Sequence, residues 1–255
     1  MNTLLQDLRL SSILLPGHLS SVHYLPILTT ILSLTFSVIL FRRYLLRGGT
    51  HHLWWSGGIL AYGLGTGLES SITLLGNSVG LTKAWYIAGA LLGGYPLAQG
   101  SVYFHFRRST ANRLTAMTLP LMVIVSLLVI LSPVQASAME SFRPSGDLLL
   151  WQWVRWFTPI INLYAVVFLI GTAAWSAWHF ARRAGEASRA IGNALIASGA
   201  LLPAIGGSLA KAGMVEMLYV GEFFGLILIW VGYLFCVKIS VAADSLATGS
   251  TAALS

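Results

Sequence analysis

Two glutamates, Glu69 and Glu222, lie in long apolar runs of this sequence and are the residues best placed to do chemistry. Glu69 follows a stretch without charged residues that begins at Leu53, and Glu222 is the one charged residue between Leu218 and Val237. A carboxylate within hydrocarbon costs about 2.5–3.5 kcal/mol on insertion scales, so such residues usually face the interior of a helix bundle and have a partner there. We therefore expect the two carboxyl groups to mark an internal binding site.

Further polar residues recur at helical spacing around these acids. Tyr219 precedes Glu222 by three positions, and Tyr95 and Gln99 are four positions apart; residues at these spacings are neighbours on a helix surface. We predict one outward-facing polar cavity that binds a small molecule or an ion and is lined by Glu69, Glu222, Lys211, Asn162, Tyr219, Tyr95 and Gln99. The alternative is that the acids are protonated or hydrogen-bonded and only hold helices together.

The composition is that of a membrane protein. The chain has 255 residues, of which 56% are hydrophobic and 9% are charged, with a mean hydropathy of +0.77; soluble domains carry about 25% charged residues. The net charge of +7 comes from basic residues in short connections between apolar runs, which excludes nucleic acid and favours the lipid bilayer as partner. The single cysteine, Cys236, excludes an intrachain disulfide and a cysteine-based metal site.

The apolar runs predict the fold. A membrane helix needs about 20 mostly apolar residues, and long unbroken runs favour helices over a barrel. The segments that qualify are residues 24–41, 53–76, 84–106, 114–132, 157–181, 190–210 and 216–237. We predict an all-α polytopic membrane protein, a seven-transmembrane-helix bundle over residues 24–240, with an external segment at 1–23 and a cytoplasmic tail at 241–255.

Basic residues predict how the chain is threaded. One side of the predicted bundle carries Arg42, Arg43, Arg47, Arg107, Arg108, Arg113, Arg182, Arg183, Arg189 and Lys238. The other side carries Arg9, Lys83, Arg143, Arg155 and Lys211. Because the side richer in Lys and Arg is normally cytoplasmic, we expect a multi-pass protein of the inner membrane with its N-terminus outside and its C-terminus in the cytoplasm.

A weak internal similarity relates the two halves of the chain. The sequence ESSITLLG at 69–76 resembles GGSLAKAG at 206–213, and both segments end helices that are predicted to cross in the same direction. This similarity favours two parallel three-helix units joined by the fourth helix, a 3+1+3 repeat. Chance similarity between glycine-rich segments explains it almost as well.

Cofactor chemistry has little support in the sequence. His105 and His179 lie near the cytoplasmic ends of predicted helices 3 and 5, where neutral imidazoles could bind haem iron or a metal. Histidines beside arginines at an interface are more often headgroup contacts. The last helix reads GLILIWVGY at its centre and has no lysine there, so no Schiff-base retinal is expected. We expect no nucleophile elbow of the Gly-x-Ser-x-Gly type, no Walker loop and no HExxH motif in this sequence, so enzymatic activity has little support.

Several stretches carry a resemblance to a known group of proteins. They are WWSGGILAYGLGTGLES, WYIAGALLGGYPLAQGSVYF and ALIASGALLPAIGGSLAKAG. Over residues 53–237 the chain resembles uncharacterised bacterial seven-helix membrane proteins. The resemblance implies the architecture and no activity.

The sequence favours a non-enzymatic, ligand-binding membrane protein, either a small-solute carrier or a sensor. One alternative is an accessory or structural subunit of a larger membrane complex that handles electrons or pigments. The other is a haem-binding redox protein, which requires His105 and His179.

Overall fold

The computed structural model describes residues 21–139, 144–212 and 214–252, and most of these residues are helical. The α-helices are α1 (Leu25–Arg47), α2 (Thr50–Leu75), α3 (Val79–Trp85), α4 (Tyr95–His105), α5 (Arg108–Leu131), α6 (Phe157–Ala165), α7 (Thr172–Ala181), α8 (Ala187–Lys211) and α9 (Glu216–Ala252). Two π-helical segments, Tyr86–Leu91 and Val166–Gly171, continue α3 and α6. Predicted helices 3 and 5 are therefore each built from several pieces.

The all-α bundle predicted from the sequence is confirmed. The helices that are long and apolar enough to cross a membrane are Leu25–Arg47, Arg108–Leu131, Gln152–Ala181, Ala187–Ala210 and Glu216–Val237. These five helices, among the described residues, suggest a membrane protein. The seven crossings, the outside N-terminus, the domain limits and the 3+1+3 repeat stay predictions.

The helix α2 is not among these five helices, and neighbouring helices bury much of it. It packs against α1, α3 and α4, and its buried residues include Ser56, Thr66, Ser70 and Thr73. A helix that lies inside a bundle can hold small polar side chains that hydrogen-bond locally instead of facing lipid. Consequently α2 can be a central helix of the bundle.

The α1–α2 connection and the α4–α5 connection lie at the same end of the bundle. Here the His51 ring packs edge-on against Phe104, with 5.2 Å between ring centroids. The α1–α2 turn is sharp because Gly48 and Gly49 adopt positive φ angles of 69° and 88°, which side chains other than glycine rarely tolerate. We call this the basic end, since Arg42, Arg43 and Arg47 stand beside it in the sequence.

At the opposite end, Lys83 binds the C-terminus of α5. Its Nζ atom donates hydrogen bonds to the carbonyl oxygens of Ile130 and Ser132, each at 2.7 Å. The last carbonyls of a helix have no partner within the helix, and a lysine there also complements the negative end of the helix dipole. This contact fixes α3 to the end of α5.

Helices α8 and α9 pack closely through glycines. Gly192, Gly199 and Gly206 follow each other at intervals of seven residues on α8. A Cβ atom on Gly199 would lie 2.6 Å from the carbonyl oxygen of Gly225 on α9, which is too short for any real contact. The absence of side chains at these positions thus lets the two backbones meet.

We expect Gly199→Ala to lower the stability of the bundle by about 1–3 kcal/mol, since the added methyl group forces α8 and α9 apart. Gly207→Ala on the same helix is the matched control, because a Cβ atom there meets nothing within 4 Å. Thermal unfolding in detergent measures both. Equal melting temperatures for the two variants would contradict the close helix contact.

Candidate functional site

Glu69 and Glu222 meet inside the bundle, away from the basic end. Glu69 lies in the second half of α2 and Glu222 lies near the start of α9. Their side-chain carboxyl groups are within hydrogen-bonding range of each other. Glu69 is only 2% exposed, and Glu222 is partly exposed as a residue but has a buried Oε2 atom.

Two aromatic residues hold the carboxyl pair in place. The indole Nε1 of Trp85, at the end of α3, donates a hydrogen bond of 2.8 Å to Oε1 of Glu69. The Tyr62 hydroxyl on α2 donates to the main-chain oxygen of Glu222 at 2.9 Å. Among the described residues, no donor reaches the buried Oε2 atom of either glutamate.

This geometry requires a proton or another cation. Two carboxyl oxygens can hydrogen-bond only when one of them carries a proton, and full ionisation would bring two negative charges into contact. Pairs of this kind share a proton because both groups cannot ionise together at low cost. The pair is therefore suited to a proton or another cation. The described residues contain no group of three or more His, Cys, Asp and Glu side chains that could hold a metal ion.

The backbone beside the pair departs from regular α-helix. The π-helical segment Tyr86–Leu91 begins directly after Trp85, and such segments occur frequently at functional sites. It approaches α2 so closely that a Cβ atom on Gly65 would lie 3.0 Å from the Cα atom of Gly89. The close approach brings α3 against α2, so that the Trp85 indole reaches Glu69.

Tyr95 and Gln99 belong to a second polar network between α4, α5 and α6. The Gln99 amide is fully buried; its Nε2 donates to Thr115 at 2.7 Å, and its Oε1 accepts from the Tyr164 hydroxyl at 2.6 Å. The Tyr95 and Thr118 hydroxyls are 2.8 Å apart. Because these polar groups hydrogen-bond to one another, the network is a structural link between the helices. Its described hydrogen bonds include neither glutamate.

Of the remaining predicted site residues, some lie near the carboxyl pair and others do not. Tyr219 is buried one turn before Glu222 on α9. Asn162 is exposed on the outside of α6. Lys211 ends α8, but its side chain lies outside the described residues. The structure thus brings Glu69, Glu222 and Tyr219 to one region of the bundle.

Comparison of the chain with family models, curated proteins and solved structures yields no match. The resemblance to uncharacterised bacterial seven-helix proteins therefore stays a prediction.

Sequence reasoning missed the role of Trp85. A tryptophan at the start of a predicted span is normally interpreted as an anchor at the membrane interface, because indoles favour that boundary. The signal that could have found it is the short connection 76–78, which places the start of α3 next to the end of α2. A donor in that position is within reach of a carboxyl group one to two turns before the connection.

The histidines considered for haem already have partners. In His105, Nδ1 lies 3.0 Å from the carbonyl oxygen of Ser101, and Nε2 lies 3.0 Å from the Ser176 hydroxyl. His179 stacks on Trp175, with 5.2 Å between the ring centroids. An iron ligand needs a free ring nitrogen, so a haem at His105 would have to displace Ser176.

The turn after α2 contains a pattern that occurs in hydrolases. Residues 76–80 read GNSVG, which fits Gly-x-Ser-x-Gly. A nucleophile elbow requires a strand before the serine and a helix after it, whereas this turn joins two helices. The Ser78 hydroxyl is the N-cap of α3 and accepts a hydrogen bond of 3.2 Å from the main-chain N–H of Leu81. The motif is therefore a helix cap.

Proposed function

We propose that this protein is an integral membrane carrier or sensor of a small solute, whose state is set by a proton or small cation at Glu69 and Glu222. The supporting observation is the contact between two buried carboxyl groups contributed by α2 and α9. Intramembrane carboxyl groups that face a bundle interior are typical of ion pathways and proton relays. The proposal includes seven membrane crossings with the basic end in the cytoplasm.

The pair can act as a two-state contact between helices. With one proton present, a hydrogen bond joins α2 to α9; with none, two negative charges repel each other. A ligand shifts a conformational equilibrium by as much as its affinity differs between the two states. A cation that replaces the proton would stabilise the joined state, and its release would favour separation.

Infrared spectroscopy of the purified protein tests the proton site. We expect a carboxyl band that changes as the pH is varied and that is lost in Glu69→Gln and in Glu222→Gln. If the band responds to added NaCl at constant pH, the pair also binds Na⁺. A carboxyl band that is identical in the parent protein and both variants would refute the proton site.

Transport is tested separately in proteoliposomes that carry an imposed pH gradient. A carrier would be supported if a mixture of solutes produces a current in proteoliposomes with the parent protein and no current in proteoliposomes with Glu222→Gln. A protein that binds solute without current would be a sensor. Stoichiometric co-purification with other membrane proteins in mild detergent, together with no solute response, would favour the subunit alternative and contradict the proposal.

A further inference from the structure

A separate apolar cavity of about 70 Å³ lies in the half of the bundle next to the basic end. Its walls come from α1, α2, α4, α8, α9 and the second π-helical segment, and they include Leu40, Trp55, Ile59, Ile196 and Tyr233. Ile59 precedes Glu69 by ten residues on α2, or about 15 Å along a helix axis. Since neither glutamate lines the cavity, it is distinct from the carboxyl pair.

Two hydrogen-bond donors at this cavity lack acceptors. Tyr233 is 8% exposed, lines the cavity, and has a buried hydroxyl whose proton finds no acceptor in the described part of the chain; the Arg43 guanidinium beside it can only donate. Arg43 lies against the same ring, with 5.7 Å between its guanidinium carbon and the ring centroid, and its Nε atom is also buried without a partner. An unpaired buried donor costs about 1–3 kcal/mol. The arrangement therefore fits a ligand that supplies an acceptor.

The basic residues around the cavity indicate that the ligand supplying this acceptor is anionic. Arg43 is flanked in α1 by the exposed Arg42 and Arg47, His51 and His52 lie near it, and the ion pairs found among the described residues do not include it. Basic pockets between helices at the cytoplasmic side are suited to anionic lipid headgroups. A neutral ligand would satisfy the Tyr233 hydroxyl and leave the guanidinium without a counter-charge.

We propose that this cavity is a binding site for one anionic phospholipid. A few methylene groups of one acyl chain enter between Leu40, Ile59 and Ile196, while the rest of the chain lies along the bundle surface and the phosphate accepts hydrogen bonds from the Tyr233 hydroxyl and the Arg43 guanidinium. The proposal is independent of the carboxyl pair and of solute binding, because it concerns different residues at the other end of the bundle.

Thermal unfolding in mixed micelles tests the site. We expect phosphatidylglycerol to raise the melting temperature saturably, and phosphatidylcholine with the same acyl chains to do so only at about tenfold higher concentration, a difference of about 1.4 kcal/mol. Arg43→Gln should remove the preference, because it removes the charge that distinguishes the two lipids. Tyr233→Phe should weaken the binding of both lipids, because both carry the phosphate that accepts from the hydroxyl. Arg42→Gln is the matched control, because it removes the same charge from an exposed neighbouring position.

A second measurement keeps the proposal testable if Arg43→Gln unfolds. Trp55 lines the cavity, so phosphatidylglycerol with brominated acyl chains should quench a part of the fluorescence that is missing in Trp55→Phe. Ile196→Trp, which fills the cavity, should abolish that quenching. The proposal is overturned if Arg42→Gln loses the preference as fully as Arg43→Gln, or if a neutral quinone or free oleate stabilises the protein more than phosphatidylglycerol.

Discussion

Glu222→Gln is expected to abolish the response of the protein to pH while leaving the fold intact. The amide of glutamine can donate a hydrogen bond to the Glu69 carboxylate, as a protonated Glu222 does, but it cannot lose a proton. The substitution thus keeps α2 and α9 joined permanently. We expect solute-dependent current or solute binding to fall at least about tenfold, equivalent to about 1.4 kcal/mol. Current measurements in proteoliposomes at several pH values provide the readout.

Glu216→Gln is the control for this substitution, because Glu216 is an exposed carboxyl group in the first turn of the same helix. It removes one acidic group from α9 without touching the pair. If Glu222→Gln keeps the pH response of the parent protein, or if Glu216→Gln loses it equally, the pair is not the controlling group.

Gln99→Leu should produce a large loss of stability without altering the carboxyl pair. The substitution removes the acceptor of the Tyr164 hydroxyl and the donor to Thr115 in a fully buried position. Leaving a buried polar group unsatisfied costs about 1–3 kcal/mol. Unfolding in detergent mixtures should show a loss of this size, and the pH-dependent infrared band should be unchanged.

A double-mutant cycle tests whether the loss of stability in Gln99→Leu comes from the broken hydrogen bond to Tyr164. Tyr164→Phe removes the donor that Gln99→Leu leaves unpaired, so the double variant should be more stable than the sum of the two single losses predicts. Strict additivity would mean that the Gln99–Tyr164 hydrogen bond, 2.6 Å long, contributes nothing. Loss of the infrared band in Gln99→Leu would instead mean that the two polar regions are coupled.

The positions of the helices follow closely from apolar runs, but their continuity does not. The predicted segment 53–76 corresponds to α2, and the segment 216–237 begins where α9 begins. The π-helical segments Tyr86–Leu91 and Val166–Gly171 could not be predicted, because an extra residue per turn depends on contacts with neighbouring helices and leaves no periodic signal.

Glu69 and Glu222 could be identified from the sequence because a carboxylate in an apolar run is costly. The positions of the other predicted site residues could not be identified in this way. The spacing of Tyr95 and Gln99 correctly indicates one helix face, but it cannot show that this face meets α5 and α6. Asn162 sits in an apolar helix and is nevertheless exposed. Which side of a helix faces its neighbours is set by packing, and a single sequence does not contain that information.

The short helix α3 acts as a mechanical coupling. Within its seven residues, Lys83 is anchored to the end of α5 and Trp85 to Glu69 on α2. We expect a displacement of the Glu69 carboxyl group to move the Trp85 indole and, through Lys83 two positions earlier, the end of α5. A change of one charge in the bundle interior would thus be delivered as a tilt of a helix that contacts neither glutamate, and labels at the two ends of α5 would record it.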